Sequence, residues 1–226
     1  MAHNDFFAFC KNLLHRYRAD ERVMHISGSN FQLGLQHGEG SLYFSKIPHC
    51  WGWATWAKAW ERYETRMEYA DMEEVMENVV LHVSAPDVLG WAPELLFRCV
   101  GDQVGHWDVR WWYSLMKHDG LAAVPNVNLA RNIGFGKDAT HTKGKSILGC
   151  TPLSSLETII YPAEPVWDKY ADKVDMRIYF GGTMRTPENL KKEIQARIAE
   201  GAPAENIRYV MGLGKKLFHE IKQGQP

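Results

Sequence analysis

The order of hydrophobic and polar positions along the chain predicts a succession of helices and strands. Apolar residues near the N-terminus, and again after residue 107, recur every three to four positions, as in a helix with one buried face. Shorter apolar runs that alternate in part with polar residues predict strands. The predicted elements are helices over Phe6–Tyr17 and Trp107–Asp119 and strands over Arg22–Ser27, Leu42–Ile47 and Leu121–Leu129, the last kinked at Pro125. This mixture predicts an α/β fold.

The stretch Ser41–Tyr63 holds four of the nine tryptophans of the chain. Its strand stops before Pro48, because proline cannot donate to a sheet ladder. From Gly52 the apolar positions take helical spacing, which predicts that an indole-rich helix leaves a tight glycine turn. Two interpretations of the indoles stay open. Aromatic side chains dominate protein cores, and an indole can also wall a sugar site by stacking on the apolar C–H face of a pyranose.

The pattern changes after residue 143, where a loop-like stretch precedes further helices. We therefore expect residues 1–150 to form the main unit and residues 151–226 a loop and helical extension. Further helices are predicted at Tyr69–Val80, in pieces over Pro86–Val104, at Trp167–Phe180, from Thr186 onward and at Asn206–Ile221.

Length, composition and charge limit the possible classes of protein. The chain has 226 residues, 45% hydrophobic and 23% charged, which indicates one large or two small globular domains. A net charge of −1 gives no indication of a nucleic-acid partner. No apolar run is long enough to cross a membrane and the N-terminus lacks the pattern of a signal peptide, so we expect a cytoplasmic protein.

Cysteine and histidine spacing argues against a built-in zinc site. The four cysteines are far apart with no CxxC pair, and the ten histidines form no HExxH motif. We expect reduced thiols, as in the cytosol. A metal hydrolase is therefore the weakest of the functions considered.

The helix predicted from Trp107 carries the first candidate for chemistry. Asp108 has indoles on both sides, at Trp107 and Trp111, and lies in the first turn, where the helix dipole favours a carboxylate. It suits a general base that takes a proton from a sugar hydroxyl. The alternative is an ordinary acidic residue at a helix start. Gly120 is predicted to end this helix at the C′ position.

Three loop residues are further candidates. His141 follows two loop glycines and could approach a metal or a phosphate, or it is an ordinary loop histidine. Asn30 and Asn132 lie in predicted turns. Asparagine tolerates left-handed backbone, so both also have a structural interpretation.

Four segments, in this order, resemble the bacterial nucleotide-diphospho-sugar transferases of the GT-A type. They are ISGSNF (26–31), YFSKIPHCWGWATW (43–56), WDVRWW (107–112) and PNVNLARNIGFGKDATHT (125–142). Their order is similar, more weakly, to that in the eukaryotic N-acetylglucosaminyltransferase that starts complex N-glycans. The resemblance covers roughly residues 5 to 145 and implies the acceptor-side, C-terminal part of a GT-A fold with a helical C-terminal tail.

The resemblance implies an inverting sugar transfer from a nucleotide-sugar to a hydroxyl of a glycan acceptor, as in polysaccharide biosynthesis. It also implies a Mg²⁺ or Mn²⁺ ion on the diphosphate. Asp108 matches the proposed base of the family's WDDW segment, although Val109 replaces the second aspartate. His141 matches the histidine that approaches the diphosphate or metal. The residues implied to bind substrate are Asn30, Trp51, Gly52, Trp53, Trp107 and Asn132.

The chain departs from the family in one respect. Family members have an N-terminal half that binds the nucleotide and ends in an acidic Asp-x-Asp motif, and this sequence contains no Asp-x-Asp. It begins with what resembles the helix after that motif. We therefore expect either a fragment or a short form that needs a partner half or self-associates. A non-catalytic carbohydrate-binding or interaction module is the alternative function.

Overall fold

A computed structural model describes residues 1–66, 107–135 and 151–176 of the chain. Within these ranges lie four helices and four strands. The helices predicted over Tyr69–Val80, over Pro86–Val104 and beyond Thr186 lie outside the described residues, as does His141.

The described elements form a mixed α/β arrangement around one sheet. They are α1 (Asn4–Arg16), β1 (Val23–Ser27), β2 (Leu42–Ser45), β3 (Trp53–Ala54), α2 (Ala57–Trp60), α3 (Trp107–Lys117), β4 (Leu121–Pro125) and α4 (Lys169–Asp175). The four strands take the order β2-β4-β1-β3. β1 and β4 run parallel, whereas β2 and β3 are antiparallel to their neighbours. The predicted α/β class is confirmed at this level.

Both faces of the sheet are covered, which gives a layered fold. One face packs on α1 through a cluster that includes Phe9, Leu13 and Phe44. The other face packs on α3 and α4 through a cluster that includes Trp111 and Ala171. A register shift lies between Val23 and His25. Around it, two consecutive side chains of β1, Met24 and His25, contact the α3 side.

The prediction of an indole-rich helix that begins at Gly52 is wrong for residues 52–56, which are not helical. Gly52 has φ +79°, and its carbonyl accepts a hydrogen bond from the Gly28 amide at 2.8 Å. The chain then runs beside β1 as the short strand β3, with Trp53 opposite Ser27. Only Ala57–Trp60 is helical. The edge of β1 needs hydrogen-bond partners, and this long-range demand overrides the local helical pattern.

The end of α3 also differs from the prediction. The left-handed residue is Asp119, with φ 51°, rather than Gly120. The Gly120 amide donates to Leu115 O and the Asp119 amide to Met116 O, which together make a Schellman motif. Glycine at position 120 also avoids a close contact, because a Cβ there would lie 2.4 Å from Sδ of the buried Met24, which would have to shift.

The strand predicted through Pro125 stops at that proline. The Asn126 side chain accepts from the His37 amide and donates to the carbonyls of His37 and Gly40. Asn128 accepts from the Asn30 amide. These side-chain bonds add to backbone bonds such as that from the Leu129 amide to Gly28 O. Beyond Pro125 the described chain has an isolated bridge between Ala2 and Ala130 rather than a continued strand.

The described part of the extension packs against the main unit. The Asp168 amide donates to Phe44 O of β2, and the Ser41 amide donates to Ile160 O. The predicted helix after Trp167 is confirmed over Lys169–Asp175. The division of the chain at residue 150 stays a prediction. Among the described helices, none has the length and apolar character that a bilayer crossing needs.

Candidate functional site

Three aromatic rings stack from the interior of the fold to its surface. His25 lies nearly parallel to Trp53, at 5.3 Å between ring centroids and 11° between planes. Trp107 stacks on Trp53 at 5.4 Å and 26°. His25 is fully buried, whereas Trp107 is 42% exposed. We call these three rings the indole stack, and its outer member, Trp107, is the most exposed of the three.

His25 at the inner end is neutral, and its tautomer is fixed. The Trp111 indole N–H donates to Nδ1 of His25 at 2.9 Å. Because an indole nitrogen can only donate, Nδ1 must be the acceptor. Nε2 then carries the proton and donates to His49 O at 3.2 Å. Burial lowers the His25 pKa to about 3, so the ring acts as an uncharged aromatic wall for Trp53.

A second exposed indole lies beside the stack. Trp60 is 39% exposed, stacks on Tyr63 at 4.7 Å and contacts Trp53 at 5.6 Å. Trp111, which is 1% exposed, packs against Trp53 and against Trp60 from the interior of the fold. Trp60 and Trp107 therefore present aromatic surface on a rigid base, and Trp53 is already stacked against two rings.

Asp108 lies between this aromatic surface and the turn before β3. Its carboxylate is half-buried, and Sγ of Cys50 lies 3.8 Å from Oδ2. Burial, helped by the negative charge of Asp108, raises the Cys50 pKa to about 12. The thiol therefore stays protonated and can donate a weak hydrogen bond to the carboxylate. A carboxylate oxygen can also accept a hydrogen bond from a ligand.

On the other flank of the same turn lies an open pocket of about 320 Å³. Trp51, Gly52 and Asn132 all line it, so the structure brings together three of the residues predicted to bind substrate. Trp51 is held by edge contacts with Phe31 at 5.0 Å and Phe135 at 5.4 Å. A Cβ on residue 52 would lie 2.7 Å from Cβ of Ala130, so a larger residue at this position of the pocket wall would clash.

Asn30 does not join this group. It is 3% exposed, its side-chain nitrogen donates to Pro125 O at 2.7 Å and its oxygen accepts from the Gln32 amide. These bonds tie the turn after β1 to the end of β4. Asn30 thus has the structural role that was the alternative interpretation, and its substrate contact stays a prediction.

The predicted metal site has no support in the described ranges. His141 lies outside them, and within them no three His, Cys, Asp or Glu side chains are placed to hold an ion. The described residues alone therefore offer no Mg²⁺ or Mn²⁺ site, and the ion stays a prediction.

Sequence reasoning missed a buried polar network on the face of the sheet that packs on α4. His49 Nε2 contacts Asp175 at 2.8 Å, Gln32 donates to Asp175 at 2.6 Å, and His37 bridges Gln32 and Asp168. Nearby, Asp172 accepts from Ser45, from the Lys46 amide and from the Trp167 indole. The available signal was the spacing of Asp168, Asp172 and Asp175, which places three carboxylates on one face of a helix.

The comparisons with known proteins give no further assignment. The chain matches no protein-family profile, no curated protein and no solved structure.

Proposed function

We propose that this chain is the acceptor-side part of a nucleotide-sugar-dependent glycosyltransferase that inverts the anomeric carbon. The observation that carries the proposal is the position of Asp108. Its half-buried carboxylate follows directly after the exposed indole of Trp107 and touches the Cys50 thiol of the turn that also walls the 320 Å³ pocket. The proton acceptor thus contacts the same turn whose residues Trp51 and Gly52 line the cavity, and the stacking ring of Trp107 precedes it in the chain.

In this proposal the described residues position the acceptor sugar and remove one proton from it. A pyranose of the acceptor lies on the outer face of Trp107, which brings one hydroxyl to Asp108. Asp108 removes the hydroxyl proton while the oxygen attacks the anomeric carbon of the donor sugar. The new glycosidic C–O bond forms as the bond to the nucleoside diphosphate breaks. The neutral Cys50 thiol orients the carboxylate without quenching its charge.

Trp53 takes a supporting role in this proposal. Because His25 and Trp107 already stack against its ring, Trp53 serves to fix Trp107 rather than to bind sugar itself. The sequence resemblance provides the donor chemistry: a Mg²⁺ or Mn²⁺ ion and a nucleotide-binding half are proposed to act together with the residues described here.

The exposed indoles of Trp60 and Trp107 also suit a second function, a carbohydrate-binding module that catalyses no reaction. Transfer of labelled sugar separates the two functions. The chain is combined with the nucleotide-binding half of a related transferase and incubated with radiolabelled nucleotide-sugars, Mn²⁺ and a panel of oligosaccharide acceptors. The proposal expects a labelled product with inverted anomeric configuration. Saccharide binding with no labelled product from any donor would leave the binding module as the function.

A further inference from the structure

The pocket beside Trp51 carries a cation, Arg131, for which the described residues provide no counter-ion. Arg131 lines this pocket, is half-buried, and has no carboxylate within 4 Å among the described residues. Its Nε is covered by protein and has no hydrogen-bond partner. One terminal nitrogen reaches Sδ of Met1 at 3.9 Å, and a thioether is a weak acceptor.

Because Nε is covered by protein, the terminal nitrogens of the Arg131 guanidinium are the donors that a ligand in the pocket can use. A charged group that has no strong hydrogen-bond partner is unfavourable in a folded protein, and such groups are rare. Guanidinium groups bind carboxylate and phosphate oxygens in a two-pronged geometry. Among the described residues that line the pocket, none is acidic, so an entering anion meets no repulsion from the wall.

Neighbouring groups add to the recognition of such a ligand. The side-chain oxygen of Asn132 is used by the Gly134 amide at 2.8 Å, which leaves the amide nitrogen as a donor in the pocket wall. Trp51 supplies an aromatic surface. A volume of about 320 Å³ lies at the small end of ligand sites, which span about 300–1,000 Å³. The combination of cation, amide donor and indole suits a single sugar ring that carries one charge.

We propose that this pocket binds the anionic group of a charged saccharide, with the Arg131 guanidinium paired to its oxyanion and the ring against Trp51. The inference rests on the proposed function and narrows its substrate class. The oxyanion has two possible sources, the carboxylate of an acidic sugar in the acceptor and the sugar-linked phosphate of the donor. Each group presents two oxygen atoms at a spacing that lets the guanidinium bind both.

The test is a titration of the full 226-residue chain with glucose, glucuronate, glucose 1-phosphate and inorganic phosphate, followed by calorimetry or ligand-observed NMR. We expect the charged sugars to bind at least about tenfold more tightly than glucose, the effect of one charge-assisted hydrogen bond. The preference should weaken as salt is added. Tighter binding of glucuronate assigns the site to the acceptor, and tighter binding of glucose 1-phosphate assigns it to the donor.

Matched variants decide whether Arg131 is responsible. Arg131→Gln should remove the preference for charged sugars, Arg131→Lys should keep part of it, and Arg18→Gln, at an exposed arginine on another surface, should leave it unchanged. Equal binding of charged sugars by Arg131→Gln and wild type would overturn the proposal, as would no binding of any charged sugar up to about 10 mM, a very weak affinity. Anion preference without sugar transfer would instead count against the proposed function alone.

Discussion

Replacing Asp172 by asparagine should stabilise the protein near neutral pH. Asp172 is 3% exposed, and burial raises its pKa from 3.8 to about 7, with hydrogen bonds from Ser45, Lys46 and Trp167 opposing the rise. Asparagine fits the same contacts. Its oxygen can accept from the Lys46 amide and the Trp167 indole, and its nitrogen can donate to Oγ of Ser45.

The sign and size of the effect follow from linkage. Between pH 3.8 and about 7 the unfolded carboxyl is ionised while the folded one keeps its proton, so the stability contributed by Asp172 is lost as the pH rises through this window. A shift of about three units corresponds to about 4 kcal/mol between pH 4 and pH 8, since each unit is worth about 1.4 kcal/mol. Asparagine does not titrate, so the variant lacks this loss.

Urea unfolding at a series of pH values measures this contribution directly. For wild type minus Asp172→Asn, the difference in unfolding free energy should fall by several kcal/mol from pH 4 to pH 8. Glu157→Gln, at an exposed residue with no ion pair among the described residues, serves as the control for the loss of one carboxylate. A difference that stays flat across this range, or an Asp172→Asn variant that is less stable than wild type at pH 8, would refute the reasoning.

Two further predictions concern the indole stack and the donor. Trp53→Ala should cost about 3 kcal/mol of unfolding free energy, the low end for truncating a packed aromatic residue, whereas Trp107→Ala should cost less than about 1 kcal/mol yet abolish the fluorescence change on adding oligosaccharide. Equal losses of stability in the two variants would contradict the inner and outer roles assigned to them. The chain without a nucleotide-binding half should bind UDP- and dTDP-sugars in the presence of Mn²⁺ with a dissociation constant well above about 1 μM, because the described residues provide no cation site. A calorimetric dissociation constant near 1 μM would contradict this.

Local periodicity was sufficient for most elements of the described fold. The stripe from Phe6 to Tyr17, the apolar run before Gly28 and the pattern after Trp107 each predict an element that the structure confirms within a few residues. These segments bury a continuous apolar face, so the sequence pattern and the tertiary packing favour the same conformation. The mixed α/β class followed from them.

The remaining differences come from contacts between distant residues. Trp53 has helical spacing with Trp56 and Trp60, but it lies in a strand because its backbone pairs with Ser27. The pairing of Cys50 with Asp108 joins residues 58 positions apart. The network of His49 with Asp175 spans 126 positions. No local pattern encodes such distances, so the candidate site could be predicted as residue types but not as an arrangement.

The turnover of Asp108→Asn tests the central claim most directly. The variant keeps the shape of the side chain and its contact with Cys50 but cannot accept a proton. The assay is sugar transfer by the chain combined with a nucleotide-binding half, with Asp119→Asn, just past the C-terminal end of the same helix, as the matched control. The account predicts a loss of about 100-fold or more for Asp108→Asn at unchanged folding stability, the usual effect of removing a general base. Turnover of Asp108→Asn within about threefold of wild type would contradict it.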